Sequence, residues 1–272
     1  MVGRLKMATA LAGKQPFHEY FWSKLASADN SVLLLDYDQT ISLFCMSRDD
    51  GSSSPSIRDL LHAIMTRGRT RVILISELRA VEVVALLQMS PEPEIWGSRG
   101  LERRMPNGNC EVLDIGAGAE RALAVMDLSL EAQGLGRLTE VQPGAIVVRW
   151  SGLGWRVTEE VRERVSEAWS AVRDLGWLST REFEGGIEFR IRFWEKSDAV
   201  EQLVYEVGAG IPVAYLGDEK SDEDAFRALK CRGLCVLVRA KFIATAADLW
   251  LQLPDDVVQF LADWLRARAG DA

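Results

Sequence analysis

No stretch of this chain limits its architecture as tightly as Val32-Leu33-Leu34-Leu35, followed at once by Asp36-Tyr37-Asp38-Gln39-Thr40. Four consecutive aliphatic residues without alternation describe a strand covered on both faces, as in a parallel sheet flanked by helices. The two carboxylates then fall just beyond the strand's carboxyl end, where open α/β sheets hold their ligands. Acids spaced i and i+2 there repel each other unless a cation lies between them or one keeps its proton. A turn with helix-capping carboxylates would show the same spacing, so the pentapeptide alone leaves both readings open.

The same pattern returns far down the chain. Ile211 to Leu216 is a second apolar run, followed by Gly217-Asp218-Glu219-Lys220-Ser221-Asp222-Glu223-Asp224 and then the helical Ala225-Phe226-Arg227-Ala228-Leu229. Two such strands side by side bring Asp36, Asp38, Asp218 and Asp222 to one sheet edge. Hard oxygen donors of this kind suit Mg²⁺, which takes few protein carboxylates and keeps several waters. Glu223 and Asp224 are expected to support the helix N-terminus, where negative charge is favourable.

Between these two points the chain alternates. Phe17 to Leu25 reads as an amphipathic helix, Ser52-Ser53-Ser54-Pro55 as a loop, and Ser56 as the cap of a helix from Ile57 to Thr66 that ends at Gly68. A strand from Arg71 to Ile75, a helix from Ala80 to Gln88 and a strand from Glu94 to Trp96 continue a doubly wound pattern. From Leu101 to Phe193 the character changes. Met105-Pro106-Asn107-Gly108-Asn109 is a hairpin signal. Helices near Ala119 to Gln133 and Thr158 to Asp174, a strand from Ala145 to Trp150, and paired strands at Leu178 to Phe183 and Gly186 to Phe193 then describe a separate α+β module.

Composition excludes several function classes. At 272 residues with 48% hydrophobic content, the chain has material for a core and an inserted module. The net charge of −8 argues against a general nucleic-acid binder. No apolar stretch reaches the roughly 18 residues that span a bilayer, and Met1 to Lys6 lacks the pattern of a signal peptide, so a cytoplasmic protein is expected. Cys45, Cys110, Cys231 and Cys235 show no paired metal-ligand spacing and are expected to be reduced thiols. His18 and His62 fall on helices away from the acidic clusters, which leaves acid/base chemistry to a carboxylate.

These residues resemble the four motifs of the haloacid dehalogenase superfamily of phosphatases, and within it the trehalose-6-phosphate phosphatases. Asp36-x-Asp38-x-Thr40, Ser76, Lys196 and Gly217-Asp218-x-x-x-Asp222 occur in the superfamily's order. Leu35-Asp36-Tyr37-Asp38, Gly97-Ser98-Arg99-Gly100-Leu101-Glu102, Ile187-Glu188-Phe189-Arg190, and Tyr215 through Phe226 are closer to the subfamily. The resemblance spans about residues 31 to 265. It implies a Rossmann-like parallel-sheet core at 1–103 and 194–272, with an α+β cap domain inserted at 104–193.

It further implies a Mg²⁺-dependent sugar-phosphate phosphatase of the trehalose biosynthesis type, with a functional link to a sugar-phosphate synthase. Asp36 would be the nucleophile and Asp38 the acid and base, while Ser76 and Lys196 would hold phosphate oxygens. Mg²⁺ would be held by Asp36, the main-chain carbonyl of Asp38, Asp218 and Asp222. Thr40, Arg99, Arg149, Glu188 and Arg190 would contact substrate. A lysine at the start of a helix from Ser197 to Val207 fits a functional role, because helix N-termini disfavour cations.

The sequence departs from the family in its sugar-binding strand. Gln142, Gly144 and Arg149-Trp150 stand where such enzymes usually carry a glutamate, a lysine and a His-Tyr-Arg. Arg99 replaces a histidine, Glu77 lies within an altered Ser-Gly-Arg, and Gln39 replaces a glycine. Two alternatives therefore stay open: a catalytically impaired module that binds a sugar phosphate, and a phosphotransferase or mutase using the same aspartate.

Overall fold

The computed structural model describes residues 15–42, 56–67, 69–218 and 221–269, with the main chain alone at 15, 16, 39 and 40. Cys45, the Ser52–Pro55 loop, Gly68 and the Glu219-Lys220 pair lie outside the described residues. The chain divides into two compact units, Met1–Glu111 with Glu195–Ala272, and Val112–Trp194.

The first unit opens with α1 Gln15–Ser27, β1 Ser31–Asp36, α2 Ile57–Arg67, β2 Thr70–Ile75, α3 Ala80–Leu87, β3 Glu94–Gly97, β4 Glu102–Arg104 and β5 Cys110–Val112. The second holds α4 Ala117–Ala132, β6 Thr139–Gln142, β7 Ala145–Arg149, α5 Trp155–Ser170, β8 Leu178–Phe183 and β9 Gly186–Ile191. The first unit resumes with α6 Lys196–Val207, β10 Val213–Gly217, α7 Asp222–Leu229, β11 Leu234–Val238, β12 Leu249–Leu251 and α8 Asp255–Ala269.

Its eight strands run in the order β12-β11-β10-β1-β2-β3-β4-β5. The six from β12 to β3 are parallel, and β4 turns antiparallel to β3. Every residue of β1 is buried, as its unbroken aliphatic run requires. Leu34 sits in register with Tyr215 on one side and Ile73 on the other. Each such leucine removed from water contributes about 1.5–3 kcal/mol, which makes β1 the anchor of the sheet. α1 adds Phe21 and Leu25 to the core, and Trp22 stacks edge-on against Phe260 of α8.

Ser56 caps α2 as its position predicts. Its hydroxyl accepts the Asp59 N–H at 3.1 Å while its own N–H donates to Asp59 Oδ2 at 3.1 Å, a reciprocal arrangement that satisfies two orphan donors. The predicted hairpin forms between β4 and β5. Met105 N–H donates to Asn109 O at 2.8 Å, and Gly108 takes the positive φ of +87° that the turn demands.

The second unit is an antiparallel sheet in the order β6-β7-β9-β8. α4 and α5 are in contact, α4 burying Ala122, Met126 and Leu130 and α5 burying Val161, Val165 and Ala168. Ile146 and Phe189 are fully buried, and Trp169 of α5 meets the Phe189 ring at 5.3 Å. Strand β6 is absent from the sequence reading because its one large apolar residue, Val141, faces solvent and leaves no alternating pattern. Helix α5 starts at Trp155 and stops at Ser170, with Arg173–Leu175 forming a separate 3₁₀ turn closed by Gly176 at φ +76°. Cys110, Cys231 and Cys235 are free thiols. Among the described residues, no helix is long and apolar enough to cross a membrane.

Candidate active site

Strand order decides where chemistry can gather. From β1 the chain steps to β2 and β3 on one side, whereas β10, β11 and β12 build out on the other. The crevice at the carboxyl ends of β1 and β10 is therefore the sheet's topological switch point, where such folds bind ligands. Asp36 is the last residue of β1 and fully buried. The chain then enters a π-helical turn, Tyr37–Ile41, that carries Asp38. Ser76 follows β2, Asp218 follows β10, and Lys196 is the first residue of α6.

These side chains meet. Lys196 Nζ donates to Asp36 Oδ1 at 2.5 Å and to Asp222 Oδ1 at 3.2 Å. Asp222 Oδ1 also accepts the Tyr215 hydroxyl at 2.5 Å, and Asp222 Oδ2 accepts the Asp218 N–H at 3.0 Å. Gly217 makes this approach feasible, since a Cβ there would lie 2.7 Å from the Asp222 carboxyl carbon. Asp38 points elsewhere: its Oδ2 accepts the Glu77 N–H at 2.7 Å, and the Ser76 hydroxyl lies 2.9 Å from both of its oxygens. The repulsion expected between Asp36 and Asp38 is thus relieved by separate partners, an ammonium for one and an amide with a hydroxyl for the other.

Burial opposes ionisation at several of these groups. It raises the Asp36 carboxyl well above the usual range, the Lys196 charge opposes it, and the Asp222 and Asp38 charges add to it. Burial likewise raises Asp38, against the Glu77 amide, Lys196 and Ser76. For Lys196 burial works against the charge, yet Asp36 and Asp222 outweigh it and raise the amine. Tyr215 is raised by burial and by Asp222, so it stays the donor in that bond.

One oxygen from each of Asp36, Asp218 and Asp222 lies within 4.8 Å of the others. A single ammonium cannot neutralise three carboxylates, so this group is suited to a hard metal ion. The Asp38 carboxylate is not among these oxygens.

The other expected residues lie on other elements of the two units. Arg99 is 3% exposed and sits at φ +59°, with its N–H donating to Ser76 O at 2.8 Å, so its turn supports the loop after β2. The Thr40 side chain lies outside the described residues. In the second unit, Glu188 is in register with Val147 and Arg181, Arg190 with Ala145 and Ser179, and Arg149 with Gly186. Direct cross-strand partners share a face, so Arg149, Glu188 and Arg190 lie together on the side of the sheet opposite Phe189 and α5. Arg149 is exposed, 3.4 Å from Glu140 and over the Phe183 ring. Glu223 and Asp224 lie in the first turn of α7 as expected, and the buried Glu223 carboxylate also accepts the Ala246 N–H at 2.8 Å.

Sequence reasoning assigned no role to the Tyr215 hydroxyl, the Glu77 N–H or Arg239. Tyr215 lies two residues before Gly217 on a buried strand, a signal that a polar tip there needs a partner. Arg239, at the end of β11, donates to Asp218 O at 2.8 Å, and nothing in its local sequence announces this.

No family model matches the chain. It is 26% identical over 267 residues to probable trehalose-phosphate phosphatase H of Arabidopsis thaliana, a match covering 90% of this chain and 76% of that protein. It is 33% identical over 202 residues to the trehalose-phosphate phosphatase of Mycobacterium avium (strain 104), covering 65% of this chain and 49% of that protein. Its fold is similar to the solved structure of Aspergillus fumigatus trehalose-6-phosphate phosphatase, with a TM-score of 0.58 at 22% identity over 91% of this chain and 97% of the other. The expected fold class, a parallel α/β core with a separate α+β sheet unit, is the one observed.

Proposed function

We propose that the chain is a distant member of the trehalose-phosphate phosphatase family within the haloacid dehalogenase superfamily and acts as a Mg²⁺-dependent sugar-phosphate phosphatase, a reading supported by its similarity to such proteins. Its substrate is trehalose 6-phosphate or a related phosphorylated disaccharide, which implies a sugar-phosphate synthase as the source. The reading is carried by one observation, the meeting of Asp36, Lys196, Asp218 and Asp222 at the switch point of the sheet.

Asp36 attacks phosphorus in line, and the bond from phosphorus to the sugar oxygen breaks as an aspartyl phosphate forms. Asp38 gives its proton to the departing sugar oxygen. Burial holds that carboxyl above the ordinary range, which keeps a proton available for this step. Asp38 then takes a proton from the water that attacks the aspartyl phosphate, releasing inorganic phosphate and restoring Asp36. Lys196 and the Ser76 hydroxyl hold phosphate oxygens, the hydroxyl turning from Asp38 as substrate arrives. Asp36, Asp218, Asp222 and the Asp38 main-chain carbonyl would hold Mg²⁺, which would supply charge that offsets repulsion between the nucleophile and a dianionic phosphate.

The second unit is the specificity module, with Arg149, Glu188 and Arg190 as sugar or phosphate contacts. Thr40 and Arg99 complete the proposed substrate contacts. Gln142, Gly144 and Trp150 differ from the usual family residues, which is the reason for including disaccharides related to trehalose.

Phosphate release across a panel of sugar phosphates with Mg²⁺, repeated with Asp36→Asn, tests the reading. At least one sugar phosphate is expected to turn over, and Asp36→Asn to lower the rate by about 10⁴-fold or more. Activity surviving that substitution rules out Asp36 as nucleophile. Calorimetric binding without turnover assigns a non-catalytic module, and phosphate passing to a sugar acceptor assigns a phosphotransferase.

A further inference from the structure

Asp218 is held at both ends of its main chain. Its N–H donates to Asp222 Oδ2 at 3.0 Å, and its carbonyl accepts from Arg239 Nη1 at 2.8 Å. These two bonds bracket the φ and ψ of Asp218 and so restrict the direction of the Cα–Cβ bond from which its carboxylate projects. We infer that Arg239 is a positioning residue for the acidic cluster: by fixing the Asp218 carbonyl, it aims the Asp218 carboxylate at the space shared with Asp36 and Asp222.

Arg239 is itself built into the sheet edge. Its N–H donates to Leu251 O at 3.0 Å, and its carbonyl accepts the Trp250 indole N–H at 2.9 Å. Trp250 in turn meets Phe242 edge-on with ring centroids 5.4 Å apart. The brace therefore runs from β12 through the end of β11 to the loop after β10, across strands that are neighbours in the sheet. A guanidinium suits the task because its planar fork of donors loses little freedom when one N–H is fixed on a carbonyl. Tyr215 braces the cluster from the strand side through Asp222; Arg239 does so from the loop side through Asp218. Partners of this second kind typically change metal affinity by about 10–100-fold when removed.

The inference rests on the proposed metal-dependent reading, and Mg²⁺ alone is the probe. Calorimetric titration of Mg²⁺ into the full chain without substrate is compared for the parent, Arg239→Ala, Arg239→Met and Arg239→Lys. Arg239→Met keeps the aliphatic stem against its neighbours, so it serves if the alanine variant does not fold. The expected result is roughly 10-fold weaker Mg²⁺ binding in the Ala and Met variants, with partial recovery in Arg239→Lys, which retains a donor. The thermal midpoints of the metal-free proteins, measured alongside, separate positioning from general stability, since a merely structural brace lowers the midpoint and leaves affinity alone. Equal affinity in parent and Arg239→Met overturns this inference and leaves the phosphatase reading standing. Absence of Mg²⁺ binding by the parent overturns both.

Discussion

The Lys196 ammonium stands 2.5 Å from Asp36 Oδ1, with both side chains removed from solvent. Burying two ions costs several kcal/mol each, and their attraction repays this only with good geometry and further hydrogen bonds. Here the ammonium is shared with Asp222, while Asp218 stands close by. The balance of charge is negative, so the arrangement favours a bound cation.

Lys196→Ala is expected to destabilise the metal-free protein by about 3–5 kcal/mol, because it strands Asp36 and Asp222 as buried carboxylates without their cation. Chemical denaturation measures this directly. Addition of Mg²⁺ should recover part of the loss, since the ion supplies charge to the same oxygens. An unchanged denaturation midpoint would show that the pair is not an ion pair in solution.

Mg²⁺ is expected to raise the thermal midpoint of the parent protein, and a chelator to reverse the rise. At one hundred times the dissociation constant, binding to the folded state alone stabilises by about 2.7 kcal/mol. Asp218→Asn should shrink the shift, whereas His62→Gln, on the exposed side of α2, should leave it intact. A midpoint indifferent to Mg²⁺ would remove the metal from the mechanism.

Tyr215→Phe removes the hydroxyl donated to Asp222 at 2.5 Å and leaves the ring in place against Phe226. Loss of a buried hydrogen bond to a charged group is expected to cost about 1.5–3 kcal/mol. Because Asp222 Oδ1 then loses one of the donors that orient it beside Lys196, the turnover rate should also fall. Unaltered stability in urea titration would mean that the hydroxyl finds another partner.

His18 links folding to pH. Burial lowers its pKa from the ordinary value of 6.5, against the charges of Glu19 and Asp263, and Trp22 Nε1 donates to its Nε2 at 2.8 Å, a bond that only neutral imidazole can accept. The unfolded chain therefore binds the proton more readily, so this contribution is complete above about pH 6.5 and declines as pH falls below it. Denaturant midpoints measured from pH 7.5 down to pH 5 should drop more steeply for the parent than for His18→Gln. Parallel slopes would rule out the linkage.

Several elements could be read before any coordinate was known because they depend on neighbours in the chain. The unalternating Val32 to Leu35 run demanded a doubly covered strand, Ser56 and Asp59 could cap α2 across one turn, and Asn107-Gly108 could close a hairpin. Strand β6 escaped notice because an exposed edge needs no apolar alternation. Helix α5 begins before Thr158, where the pattern predicts it, because Trp155 opens it from an exposed position, without the buried apolar periodicity that marks a helix start.

What the sequence determined by itself was the chemistry available: two acidic turns after apolar runs, a serine after a third strand, and a lysine opening a helix, in one characteristic order. What only the tertiary structure decided was which of these atoms touch. Strand order put β10 against β1, and so set Lys196 between Asp36 and Asp222, sent Asp38 to Ser76 and Glu77, and gave Asp218 a brace from Arg239. Such contacts join residues as far as 160 positions apart. Local propensity carries no record of them, because they arise when the sheet closes and buried polar groups must find partners or forfeit their hydration.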